Sequence, residues 1–297
     1  AVREAVIRAP DLLEKLVPDD GALAPTALET YLECPFRFFT QHVLKLEEPP
    51  PDPRERLEGR VQGEIVHRVL AALAEGEELG PVFARVFDQM RREAKAPEGY
   101  RTERIRRELL ENLTRWVGKQ PLPPAREQMP EKEFALAIQG GPKVRGRLDL
   151  LHIGEGGEIL VVDYKYANGD RVRKYRKETE DEAGFRVQAG LYLLAAREAL
   201  GREPAGMLFC GLKGEPMFAG WYAGSCPELR RPHVICEAED IRAVIETAME
   251  RARRVATELG SGTIAPPEEE VDACRYCSFL SLCRRDETAG EAGGAGR

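Results

Sequence analysis

The segment EILVVDYKY constrains this chain more tightly than any other. Four apolar residues, Ile159 to Val162, run directly into Asp163, Tyr164 and Lys165. Such a run reads as a buried strand, a place where unpaired charge is costly. Side chains alternate along a strand, so Asp163 and Lys165 share one face and Tyr164 points to the other. The strand before it carries a further acid, Asp149, in GRLDLL. A three-residue loop of Glu155, Gly156 and Gly157, with glycine at the left-handed position, sets 154 against 158. The same register sets Asp149 against Asp163 and Arg147 against Lys165. A four-residue loop would instead turn the two acids to opposite faces.

Two carboxylates directly opposed have Cβ atoms about 4.5–5.5 Å apart and need a neutralising partner. Lys165 could neutralise one of them and leave a structural ion pair. A divalent metal shared by both acids is the alternative, and hard oxygen ligands suit Mg2+ or Mn2+.

Around this hairpin the hydrophobic period changes along the chain. A helix is expected after Pro25, with a break at Cys34 ahead of Pro35. Another is expected over residues 57–75, and two charged helices follow to about 118. EKEFALAIQ, KVRGRLDLLHI and EILVVDYKY then read as three successive strands after a proline-rich linker, GKQPLPPAREQMP. A helix from about Glu182 to Leu200, the strands GMLFCGL and MFAGWYA, and a helix of about twenty residues from near Ala238 complete the pattern. Helices, a meander and further helices predict an α/β fold with a mixed central sheet flanked by helices. The tail from Thr288 is rich in Gly and Ala and is expected to be mobile.

Net charge is −7, which gives no global attraction for nucleic acid, so basic residues matter only where they group. Arg85, Arg91, Arg92, Lys95, Arg101, Arg104, Arg106 and Arg107 are interspersed with Glu and read equally well as solvated helix faces. Arg171, Arg173, Lys174, Arg176 and Lys177 have no acid between them and follow the charged strand end, so a phosphate-contacting loop is expected there. No apolar stretch approaches the ~20 residues of a membrane helix, and no secretory signal precedes the first charges. A cytoplasmic protein is expected. The chain begins at Ala1, which is compatible with a piece of something longer.

Seven cysteines are present. Cys274, Cys277 and Cys283 form C-x2-C-x5-C, and Cys34 lies far upstream in LECPFRFF. In an intracellular setting metal binding is favoured over disulfides. Four thiolates suit Zn2+ or an iron–sulfur cluster, and spacing alone does not separate the two. Cys210, Cys226 and Cys236 follow no pattern. His67, among Ile65, Val66, Val69 and Leu70, reads in isolation as a core histidine. Gln188 and Tyr192 are four apart and so stack on one helical face.

Taken together, these elements resemble the PD-(D/E)XK nuclease superfamily, in its RecB/AddB-type branch with a four-cysteine iron–sulfur staple. Cys-Pro-Phe (34–36), Gly-x-x-x-His (63–67), Gly-Arg-x-Asp (146–149), Asp-x-Lys (163–165), Gln-x-x-x-Tyr (188–192) and the cysteine triplet occur in that family's order, over about residues 24–285. The resemblance implies a restriction-endonuclease-like fold, with a helical part over 24–120, a nuclease core over 130–260 and the cysteine cluster closing the domain. Residues 1–23 would be an extension and 286–297 a flexible tail. It also implies that His67, Asp149, Asp163 and the backbone carbonyl of Tyr164 bind Mg2+ or Mn2+. Lys165 would assist the attacking water, Gln188 and Tyr192 would position the strand, and Cys34, Cys274, Cys277 and Cys283 would hold a [4Fe–4S] cluster. DNA is the implied substrate and a helicase or motor subunit the implied partner. Tyr166-Ala167 stands where the family more often has Thr-Gly, and no G-x-x-x-x-G-K-[ST] is present. Two other readings remain: a silent DNA-binding or scaffold module, and a four-cysteine zinc protein with an accidental D-x-K.

Overall fold

In the computed structural model the hairpin closes with Gly154 N–H donating to Glu158 O at 2.9 Å and with Gly157 at φ +86°. The left-handed residue is therefore the glycine that the three-residue loop requires. Residues 5–17, 21–47, 52–57, 59–182, 184–267 and 270–283 are described.

In chain order the helices are α1 (Pro10–Leu13), α2 (Pro25–Glu33), α3 (Pro35–Phe38), α4 (Arg60–Ala74), α5 (Leu79–Glu93), α6 (Tyr100–Lys119), α7 (Gly169–Glu180), α8 (Gln188–Leu200), α9 (Ala238–Gly260) and α10 (Leu280–Cys283). The strands are β1 (Ala22–Leu23), β2 (Ala125–Ala137), β3 (Lys143–Gly154), β4 (Ile159–Lys165), β5 (Gly206–Gly211), β6 (Met217–Tyr222) and β7 (Val234–Ile235). They form one sheet in the order β1-β3-β4-β5-β6-β7, with β2 also on β3. β3–β4, β2–β3 and β5–β6 are antiparallel, whereas β1–β3, β4–β5 and β6–β7 are parallel. This is the mixed sheet expected of a restriction-endonuclease-like fold.

Each face of the sheet has its own core. Ile159 and Val161 of β4 pack with α2, α8 and α9, whereas Leu160, Val162 and Tyr164 pack with α4, α5 and α6. The helices are held by stripes that repeat every three to four residues, such as Val82, Phe83, Val86, Phe87 and Met90 of α5. Proline opens α2, and Cys34 ends it in an extended conformation (φ −160°) immediately before Pro35 opens α3. The chain before residue 24 joins the same body. Leu16 and Leu23 are buried in the first core, and Ile7 N–H donates to Gly262 O at 2.9 Å.

Several expectations are corrected. Residues 171–177 are not a loop but the middle of α7, whose N-cap Asn168 accepts from Arg171 N–H. Its inward positions are few, Val172, Tyr175 and Thr179, so the helical period is faint in the sequence. The helix placed from Glu182 begins at Gln188, where a buried carboxylate described below caps it. β2 starts inside the segment read as a linker. It borders β3, and a strand at such a position tolerates Pro130. The Gly/Ala tail beyond residue 283 lies outside the described residues. No described helix is long and apolar enough to cross a membrane.

Candidate active site

β3 has two edges, and their unequal use creates the site. β2 covers one edge nearly throughout, from Ala137↔Lys143 to Ala125↔Gly154. The other edge pairs with β1 at Lys143 and Val144 and with β4 from Leu150 to Ile153. Among the described residues, 145–149 therefore have no strand beside them on that edge. The register of the β3–β4 ladder, last seen as Leu150↔Val162, brings Asp149 level with Asp163 as the turn predicts. Beyond that pair a side chain replaces the ladder: Asp149 Oδ2 accepts the Tyr164 N–H at 2.8 Å.

Asp149 Oδ1 lies 3.1 Å from His67 Nδ1. The buried stripe Ile65, Val66, Val69 and Leu70 anchors α4 and leaves His67 turned to the opening beside Tyr164. Glu131 joins them from β2. The pairs Pro130↔Leu150 and Lys132↔Leu148 place it opposite Asp149, and its φ of +52° is rare for a side chain of this kind. His67, Glu131 and Asp149 each offer a ligand atom, all within 4.8 Å of one another. Sequence reasoning missed Glu131 among many surface acids. The signal lay in the β2–β3 register, which could be counted only once the strand was known to begin before Pro130. Arg147, expected against Lys165, instead contacts Glu131 Oε2 at 2.5 Å, because β4 has already left that edge of β3.

Asp163 is 1% exposed, and its Oδ2 lies 2.7 Å from Lys165 Nζ without hydrogen-bond geometry to any partner among the described residues. Lys165 Nζ donates to Gln188 Oε1 at 3.1 Å, and Gln188 Nε2 donates to Tyr192 OH at 2.8 Å. His67 thus meets Asp149 directly and Asp163 pairs with Lys165, but Asp163 is not among the residues whose ligand atoms lie within 4.8 Å of one another. Gln188 and Tyr192 reach the site through Lys165. The Gly of Gly-Arg-x-Asp has a physical role here. A Cβ on Gly146 would fall 2.6 Å from the Phe134 ring, which packs edge-on against Tyr192.

Gln188 is fixed by a residue that the sequence did not mark. Glu29 of α2 is buried, and its Oε1 accepts the N–H groups of both Val187 and Gln188 at 3.0 Å, capping α8. Its Oε2 meets Arg186 at 2.7 Å. Glu29→Ala leaves the Val187 and Gln188 N–H groups without their acceptor and Arg186 with Glu178 as its remaining partner, so it is expected to cost about 2–4 kcal/mol. Urea unfolding at neutral pH measures it.

Charge is unbalanced by this packing. Burial pushes the Asp163 carboxyl up to about 6, Lys165 opposes this and Asp149 adds to it. Burial works against a charged His67, yet the hydrogen bond and charge of Asp149, with Asp163 behind it, outweigh burial and raise its pKa. Burial also works against a charged Lys165, but Asp163 and Asp149 keep it cationic. An imidazole and two carboxylates within 4.8 Å of one another, with the poorly satisfied buried carboxylate of Asp163 on the neighbouring strand, fit a hard divalent cation such as Mg2+ or Mn2+.

The sign of the pH effect follows. Both Asp163 and His67 hold protons more tightly in the folded chain than in the unfolded one. Their contribution to metal-free stability is present at low pH. It fades as pH rises from the ordinary Asp value through about 6 for Asp163, and from the ordinary His value through the raised one for His67. A cation needs both groups unprotonated, so its binding strengthens over the same range. The rise in Tm on adding Mn2+ is expected to grow from pH 5 to pH 8, as thermal unfolding across that range would record.

At the other end of α2, Cys34 is buried and its Sγ accepts Arg37 N–H at 3.4 Å. Burial raises the thiol to about 11, and Cys283 and Cys274 are near enough to add to the rise. The chain thus returns Cys274 and Cys283 to the neighbourhood of Cys34. Cys210 is buried beside Tyr164 on the neighbouring strand, and Cys226 and Cys236 are partly exposed. A cavity of about 310 Å3 lined by His152, Tyr222, Cys226 and Leu229 lies by the 154–158 hairpin, at the opposite end of the strands from the acids.

The family model described as the PD-(D/E)XK nuclease superfamily matches residues 22–284. The chain belongs to that superfamily. Asp149, Asp163 and Lys165, set by one hairpin register, are among the residues that carried the resemblance in the sequence. The structure titled "Crystal structure of SSO0001" is similar at a TM-score of 0.38 and 15% identity, over 92% of this chain and 94% of that one. A likeness of that size carries nothing about function. No curated protein matches the sequence.

Proposed function

We propose that this nuclease-superfamily chain is a Mg2+- or Mn2+-dependent deoxyribonuclease. The observation that carries the proposal is the convergence of His67, Glu131 and Asp149 on one point beside the buried Asp163–Lys165 pair. His67, Asp149 and Asp163 would hold the cation, with Glu131 as a further carboxylate and the Tyr164 carbonyl at the edge of the group. When bound, the cation supplies Lewis acidity: it acidifies water and neutralises charge that builds on the phosphate. Lys165, cationic though buried, offers an ammonium to that charge and to the attacking water. Gln188 and Tyr192 orient the ammonium, and Asp149 fixes the His67 ring and the Tyr164 peptide. A silent DNA-binding module would be expected to lack one of these groups.

We further assign Cys34, Cys274, Cys277 and Cys283 to a [4Fe–4S] cluster. Support comes from the four-thiolate donor set, the approach of Cys274 and Cys283 to Cys34 and the N–H donor already on Cys34. A role in DNA-end processing beside a helicase or motor subunit rests on the RecB/AddB-type motifs alone. End-labelled linear, circular and single-stranded DNA incubated with Mg2+, Mn2+ or EDTA tests the activity. Cleavage with metal and none with EDTA is expected, and inertness on all three substrates would overturn the proposal.

A further inference from the structure

Most of the basic charge on α7 is neutralised along the helix itself. Arg173 pairs with Asp170, Lys174 with Glu178 at 3.6 Å, and Arg176 with Glu180 at 2.6 Å. Arg171 behaves differently. Its guanidinium lies 5.1 Å from the centroid of the Tyr175 ring, and among the described residues no carboxylate pairs with it. The same ring has Lys165 Nζ at 5.4 Å and the Arg186 guanidinium at 4.6 Å. Three cations thus surround one aromatic ring. Two of them are compensated: Lys165 by Asp163 at 2.7 Å, and Arg186 by Glu29 at 2.7 Å and Glu178 at 2.9 Å. Arg171 adds a positive charge that no described carboxylate offsets, exposed to solvent, on the same ring as the amine that pairs with Asp163.

An arginine four residues before a tyrosine on one helix is often an ordinary surface pair. Such a pair would not share its ring with a lysine from the end of a buried strand. We propose that Arg171, seated on Tyr175, binds the phosphate next to the scissile one on the strand being cut. The inference rests on the nuclease reading and adds a contact that the family motifs do not contain. A planar guanidinium pairs with two phosphate oxygens at once, and stacking on Tyr175 restrains it before DNA arrives. Because a phosphate contact carries no base information, it acts equally on every sequence.

The test uses the full chain and a fluorescently labelled single-stranded oligonucleotide, with binding followed by anisotropy in EDTA over a salt series. Arg171→Gln is expected to weaken binding about tenfold and to lower the slope of log Kd against log salt by about 0.7, one contact's worth for a single strand. In cleavage assays KM rises by a similar factor, with a smaller effect on kcat. Arg171→Lys restores the slope but only part of the affinity. Arg202→Gln, an exposed change beside Gly157 at the far end of the strands, changes neither, and thermal unfolding of Arg171→Gln matches the parent because the side chain is exposed. An unchanged slope in Arg171→Gln, or an equal loss in Arg202→Gln, overturns the inference. A parent chain that binds the oligonucleotide but never cuts it defeats the nuclease reading and leaves Arg171 to be judged on its slope. A parent chain that does not bind defeats both.

Discussion

Asp163→Asn and Lys165→Met are each expected to lower cleavage by at least about 10³-fold, the scale of losing a preorganised charge at the reacting centre. The two should differ in stability. Asp163 is the buried partner, and without its charge Lys165 remains an ammonium in a largely buried place. Asp163→Asn should therefore lower stability, whereas Lys165→Met leaves a carboxyl already raised to about 6, which can take up a proton. Single-turnover cleavage combined with urea unfolding separates these outcomes. Normal cleavage by both folded variants would remove Asp163 and Lys165 from the chemistry, whatever the metal content.

Cys34→Ser should produce the largest loss of stability. A cluster joining Cys34 to Cys274 closes a loop of about 240 residues, and the chain-entropy model assigns such a cross-link on the order of 5 kcal/mol. For a domain of this size that corresponds to a drop in Tm of about 10–20 °C. Anaerobically purified parent protein should be brown and contain iron, and Cys34→Ser should be pale with the lower Tm. A colourless parent with stoichiometric zinc would replace the cluster by a Zn2+ site. A parent with neither metal and a Tm equal to that of Cys34→Ser would remove the staple altogether. The damage is also expected to reach the active site. α2 carries Glu29, the cap of α8 and the anchor of Gln188, and ends at Cys34, so freeing its C-terminal end loosens the group that orients Lys165.

The parts of the fold that were legible in the sequence are those set by local rules. Proline at the start of α2, the break at Cys34 and the glycine turn at 154–158 each depend on a few neighbouring residues. So does the strong apolar stripe of α5. The hairpin shows how far such rules reach. One left-handed glycine fixed the register, and the register alone brought two acids together. α7 was hidden because only a few of its residues face inward, and the rest are charges that pair along its own surface. The start of α8 was hidden because its cap is Glu29, far upstream in the chain and unmarked by any turn chemistry.

By itself the sequence determined which side chains share the face of β4 and that Asp149 stands level with Asp163, because strand alternation and turn length are properties of adjacent residues. Only the tertiary structure decided that β1 and β4 share one edge of β3 and leave a gap between them. That gap leaves Asp149 open to His67 and turns Arg147 away from Lys165, while Glu131 reaches Asp149 from β2 on the opposite edge. Such a gap arises from where separate segments end in space, and no local pattern encodes the distance between them.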